Sequence, residues 1–163
     1  FFSANNLSLE RAQQLRSMTD ADLGKISSIV SENKATVFFN DFSNWLRLAY
    51  KLDVIELSLF SDSISLKGRK SQKLFLLYAI KMIRECIIYN FASSSLLTIT
   101  KIEHDFVTKF SPFIHEENSI LIIDKLEKSI NEINRNANAK ILFFELSLQI
   151  VKFLKLKRKF AVK

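Results

Sequence analysis

Side chains able to do chemistry are few in this 163-residue chain: its histidines are His104 and His115, and its single cysteine is Cys86. His115-Glu116-Glu117-Asn118-Ser119 lacks the second histidine of an H-E-x-x-H zinc helix. One cysteine with two histidines builds no structural zinc site without several carboxylates. We read no metal site here and take these as solvated loop and helix-start residues. His104 and Asp105 are neighbours on a helix and point to different faces, so they form no base-and-orienter pair. Cys86 lies in an apolar run, with no cation at hand to hold a thiolate. Glu85, on a largely apolar face, reads as a paired core carboxylate rather than an acid or base. No catalytic residue, no cofactor and no small-molecule substrate is assigned.

Charge is placed more pointedly. The formal net charge is +7, yet residues 1–66 carry 6 basic and 8 acidic side chains while residues 67–163 carry 18 and 9. The last stretch holds Lys152, Lys155, Lys157, Arg158, Lys159 and Lys163 without an acid. Such an end can meet an acidic partner, nucleic acid or an anionic membrane, although cations also suit the negative end of a helix dipole. Lys67, Arg69, Lys70 and Lys73 crowd a helix start, where the dipole disfavours cations by a few tenths of a kcal/mol each. Local helix physics does not ask for them there. We therefore take Lys67, Arg69, Lys70, Lys73, Lys157 and Arg158 as candidate contacts to phosphate or to an acidic partner. No interleaved aromatic residues support base stacking around that cluster.

Positioning these residues falls to helices. With Gly 2 and Pro 1, the chain cannot supply the tight hairpins of a sandwich, a Rossmann turn or a phosphate-cradling loop. At 48% hydrophobic and 25% charged it can bury a sizeable core, so the expectation is all-α. Spacing and capping predict short helices over about 9–18 and 20–31, then a break at Asn33-Lys34. Further helices follow over about 36–51, 54–66, 69–91, 101–110, 117–135 and 137–156. Asp53 with Glu56 and Thr100 with Glu103 are the capping signals, and Gly68 and Ser111-Pro112 are the stops. Helix 69–91 has so wide an apolar surface that burial on more than one side is implied. The last helix leaves little polar face, so it is either central or covered by another subunit. Phe143, Phe144, Leu148 and Val151 are the candidate interface.

One cysteine excludes an internal disulfide and fits a reducing compartment, so a cytoplasmic location is expected. No apolar run reaches the ~18 residues of a membrane span. The chain opens on Phe1 rather than Met, without a secretion signal, and we expect it to be a piece of a longer protein.

Three segments then resemble one family. Arg135-Asn136-Ala137-Asn138-Ala139-Lys140-Ile141-Leu142-Phe143-Phe144-Glu145-Leu146-Ser147-Leu148 is similar to the R-N-A-N-x-K opening of a last helix. Gly68-Arg69-Lys70-Ser71-Gln72-Lys73, followed by Leu76-Leu77-Tyr78-Ala79 and Ile83-Arg84-Glu85, is similar to a G-R-x-x-Q-K…L-x-Y-A…R-E stretch. Phe42-Ser43-Asn44-Trp45-Leu46-Arg47-Leu48-Ala49-Tyr50 is an aromatic-rich helix followed by Asp53-Val54. In order and spacing these resemble the C-terminal part of the delta-prime subunit of bacterial DNA polymerase III, the clamp-loader subunit, in Bacteroidetes-like form, over residues 35 to 157.

The resemblance implies a remnant of an AAA+ lid domain over 1–33 and a C-terminal helical collar domain over 35–163. It implies Gly24 where motor subunits carry a nucleotide-sensing arginine, with Lys25 next to it, hence a subunit that does not hydrolyse ATP. The implied function is non-catalytic assembly. Collar domains pack in a ring with the motor (gamma/tau) and delta subunits so that the complex loads the sliding clamp, with DNA contacted only weakly or indirectly and no membrane involved. A stand-alone basic helical nucleic-acid-binding domain is the alternative, and a ligand-binding or enzymatic bundle a third, less favoured because no convergent polar constellation is visible.

Overall fold

The structure, a computed structural model, describes residues 32–92 and 94–157. Across them the protein is all-α, without a strand. The helices are α1 (Glu32–Lys51), α2 (Val54–Ser65), α3 (Arg69–Phe91), α4 (Lys101–Phe110), α5 (Glu116–Asn134) and α6 (Ala139–Leu154), with short 3₁₀ turns at Ser94–Leu96 and Ser111–Phe113. The two helices expected before residue 31, and Gly24 and Lys25 with them, lie outside the described residues.

Local chemistry sets most of the boundaries. Asp53 accepts from the Glu56 N–H at 3.1 Å and opens α2. Thr100 and Glu103 close a reciprocal capping box at the start of α4, and Asn138 caps α6 through the Ile141 N–H. Asn33 and Lys34 do not break the chain, a correction to the expected boundary. Neither is Gly or Pro, Asn is only a modestly poor helix former and Lys a good one, and α1 begins at Glu32. Two helix ends use a left-handed residue that is not glycine. Leu52, at φ 59°, lets the Asp53 N–H reach back to the Leu48 carbonyl, and Asn136, at φ 64°, does the same for Ala137 and Glu132.

The core runs along one face of α1 through Phe38, Phe42, Trp45, Leu46 and Ala49, spaced by three and four residues. Helix α3 lies in the middle. Phe75, Leu76, Tyr78, Ala79, Ile80, Met82, Ile83 and Cys86 are buried around most of its circumference, where α1, α4 and α5 all meet it. On α5 the buried line is Ile122, Leu126, Ser129 and Ile133, and Ile123 and Ile130 beside it are only partly covered. Helix α6 packs on α2, α5 and α1, and the Trp45 indole N–H donates to Ser147 Oγ at 2.8 Å across that contact.

Candidate functional site

The basic cluster at the start of α3 proves to be a structural knot. Gly68 sits at φ 80° and ψ 157°, a conformation nearly closed to other residues. From there Lys67 reaches the Asp41 carboxylate of α1, Arg69 donates to Asn136 Oδ1, and Lys73 donates to Asn134 Oδ1 at 3.1 Å. The Gln72 amide, buried, donates to the Ile64 and Ser65 carbonyls at 3.2 Å each and so satisfies the end of α2. Three of the four cations thus hold the α5–α6 turn and α1 against the head of α3. That accounts for cations at a dipole end that does not favour them. Lys70 is exposed without a partner among the described residues, as is Lys157; Arg158 lies outside them. No site converging on a phosphate is formed here.

A second polar cluster is buried beneath. The Lys81 ammonium, 5% exposed, pairs with Glu103 at 3.1 Å and lies 5.5 Å from the Tyr78 ring centroid. The Tyr78 hydroxyl donates to the same carboxylate at 2.6 Å, and the Thr100 N–H donates to it at 3.0 Å. Burial, and then the charge of Glu103, push the Tyr78 phenol far above its usual range, so it stays a protonated donor. Glu85 accepts from the Thr98 hydroxyl at 2.9 Å, which makes it the paired core carboxylate that the sequence suggested, with a hydroxyl as partner rather than Arg84. Lys81 and Glu85 line the floor of a groove of about 540 Å³, with Arg84 on one rim and Glu127 on the other, 4.0 Å apart. Lys81 was the member of this set that sequence reasoning passed over; its signal was a lysine inside the apolar run 74–88. Cys86 beside it is buried, and burial, helped by the charge of Glu85, pushes its thiol up to about 12, which leaves no nucleophilic thiolate at neutral pH.

The histidines divide. His104 is exposed, its ring edge-on to Tyr89. His115 is not the solvated residue expected. It is buried, and its Nε2 donates to the Leu156 carbonyl at 2.9 Å, because a carbonyl can only accept. Asn118 accepts from the His115 N–H and donates to the Phe113 carbonyl, both at 2.9 Å. The pair ties the head of α5 to the end of α6. Among the described residues no three metal-ligating side chains come together, and no helix is long and apolar enough to cross a membrane.

What remains is a surface. The four interface candidates separate by burial: Phe143 and Val151 are part of the chain's own core, a correction, since both point inward with Leu146 and Ile150. Phe144 is half-buried and Leu148 is 39% exposed, on the solvent side of α6 with Ile141, which is 68% exposed. The neighbouring α2 contributes Ile55 and Leu59, and the residue that caps its end is Leu66, exposed at 76%, 54% and 86% respectively. A Lys140–Asp62 ion pair at 2.8 Å bridges the two helices along the same side. Ile55, Leu59 and Leu66 carried no motif, and Ile141 lay in the R-N-A-N-x-K stretch without being singled out. The signal for Ile55 and Leu59 was that α2 has apolar residues on every side of a twelve-residue helix, more than a single packing face uses.

No family model matches the chain, and neither the curated proteins nor the solved structures include a match to it.

Proposed function

We propose that this chain is a non-catalytic assembly domain, and that it serves as the collar portion of a clamp-loader subunit of the delta-prime kind, acting in the cytoplasm. The observation that carries the reading is the outer face of α2 and α6. Large apolar side chains stand well clear of the core there, on two helices already packed against each other. Scattered exposed leucines are ordinary, whereas a run of them over two adjacent helices is a surface built for a lasting partner. Of the groups that could do acid–base or nucleophilic chemistry, Glu85, Glu103 and His115 are held in hydrogen bonds, and Cys86 is a buried, protonated thiol. The nucleic-acid alternative loses three of the cations it would use, because Lys67, Arg69 and Lys73 hold the chain's own side chains.

The test is size exclusion with light scattering, run on the chain alone and then mixed with the motor and delta subunits of the same organism. A stable co-eluting complex is expected. Leu148→Asp should remove it while the helical circular dichroism persists. Phe143→Asp should unfold the chain, because it buries an unpaired charge. A monomer indifferent to both subunits would sink the reading.

A further inference from the structure

A second surface, on elements the proposed collar face does not use, has a different character. The C-terminal half of α1 and the segment formed by α4 and its following 3₁₀ turn enclose a cleft of about 190 Å³. Phe106 and Phe110, stacked at 5.2 Å, supply one wall, and Tyr50 and Phe113, with centroids 4.9 Å apart, stand at the mouth. Arg47 borders the cleft from α1 and Lys109 from α4. No acidic residue lines it.

Those two cations beside an aromatic lining that holds no acid are what give the cleft meaning, since other exposed lysines such as Lys70 and Lys157 also lack partners among the described residues. Lys67, Lys81, Lys125, Lys128 and Lys140 each have a carboxylate partner. Arg47 and Lys109 are exposed and have no ion pair or hydrogen bond among the described residues, and the Tyr50 hydroxyl has none either. An apolar slot is thus bordered by three donors that have no partner among the described residues. The complementary ligand carries one large apolar group and acceptor oxygens on either side of it.

We infer that this cleft binds a short acidic peptide segment, taking one large apolar side chain between the rings while flanking carboxylates meet Arg47 and Lys109. The volume suits a single anchor residue, and anchors of that kind carry most of the affinity in such contacts. A nucleic acid fits less well. Phe106 and Phe110 cover each other's faces, Tyr50 and Phe113 are tilted by 59°, and two cations do not track a phosphate backbone.

The experiment selects random displayed peptides on the full chain, then measures a synthetic consensus peptide by fluorescence anisotropy, with labelled oligothymidylate as a parallel probe. The expected consensus has acidic residues on both sides of one Phe, Leu or Trp. Its affinity should fall at least tenfold in R47E/K109E and with added salt, and should be unchanged in Leu148→Asp. Both substituted residues are exposed, so the fold should persist, which circular dichroism verifies. Three results would each overturn the assignment: no enriched peptide, a consensus without acids, or binding indifferent to R47E/K109E. Oligothymidylate binding that R47E/K109E abolishes, with no peptide enriched, would replace it with a nucleic-acid site. Because Leu148→Asp reports on the other face, loss of the collar reading and loss of this one are told apart.

Discussion

The buried Lys81–Glu103 pair predicts an asymmetry that burial alone does not. Glu103→Leu would strand the Lys81 ammonium, which is 5% exposed, and would also deprive the Tyr78 hydroxyl and the Thr100 N–H of their acceptor. Removing one member of a buried pair costs about 3–5 kcal/mol, and this side of the pair should show the full amount. Lys81→Met leaves a carboxylate that still accepts from Tyr78 at 2.6 Å and from Thr100 at 3.0 Å. Hydrogen bonds to a charged group contribute about 1.5–3 kcal/mol each, so the loss should be roughly half as large. In a chain of 163 residues a gap of about 2 kcal/mol is a Tm difference of roughly 4–8 °C. The assay is urea denaturation followed by circular dichroism on both single variants and on Lys81→Met/Glu103→Leu. The double variant should lose less than the two singles added together, by about 1–3 kcal/mol, because neither charge is then left alone. Strict additivity, or a Lys81→Met variant as unstable as Glu103→Leu, would refute the reasoning and mean that the ammonium gains its stability elsewhere.

Three further outcomes are checked with the same instruments. Cys86 is protonated in the fold up to about 12 but ionises near 9 when unfolded, so only the unfolded chain releases the proton as pH climbs between these values. Stability should therefore fall over that window by up to about 1.4 kcal/mol per pH unit; buried Tyr78 acts in the same direction, and Cys86→Ala should flatten the decline seen in Tm against pH. Leu52→Gly should stabilise by about 1 kcal/mol because a left-handed leucine at φ 59° is strained, whereas Gly68→Ala should cost about 1–3 kcal/mol. That cost comes from backbone conformation alone, since nothing lies within 4 Å of the added methyl position. Ser147→Ala leaves the buried Trp45 indole N–H without an acceptor and should cost about 1–3 kcal/mol, with a blue-shifted tryptophan emission as its signature.

Much of the helical framework could be read from the residues because helix ends are local chemistry. Thr100 with Glu103, Asp53 with Glu56, and Gly68 sit at boundaries that a few neighbouring atoms decide. The break expected at Asn33-Lys34 failed for the complementary reason: weak propensity yields to a helix that the buried face of α1 stabilises. Partners across sequence were not legible. Nothing near position 115 signals that His115 meets the Leu156 carbonyl, 41 residues away, and the 67–73 cations could not be matched to Asp41, Asn134 and Asn136 before α1, α3 and the α5–α6 turn were brought together. Phe143 and Phe144 show the same limit at finer scale. Adjacent and identical, they differ by one helical step of about 100°, which sends the first into the core and leaves the second half outside.

The three segments that carry the resemblance meet one another in space. Arg69 and Lys73 of the G-R-x-x-Q-K stretch hold Asn136 and Asn134 at the R-N-A-N turn, and Trp45 of the aromatic stretch bonds Ser147 in the helix that follows that turn. Arg69, Lys73 and Trp45 thus each join one helix to another, while Lys70 of the same stretch has no partner among the described residues, so a similarity in these positions speaks largely to how such a chain packs. The two proposed surfaces draw on residues inside those stretches, Arg47, Ile141 and Leu148, and on residues outside them, Ile55, Leu59, Leu66 and Lys109. Ile55 and Leu59 on α2, Leu66 at its end and Ile141 on α6 are exposed, and Arg47 and Lys109 border an aromatic cleft without an ion pair or hydrogen bond among the described residues. Substitutions in the knot should therefore be read in stability, and substitutions on the two surfaces in binding. A variant set that failed to separate along that line, with Leu148→Asp or R47E/K109E melting the fold, would show that the surfaces are part of the core's own economy.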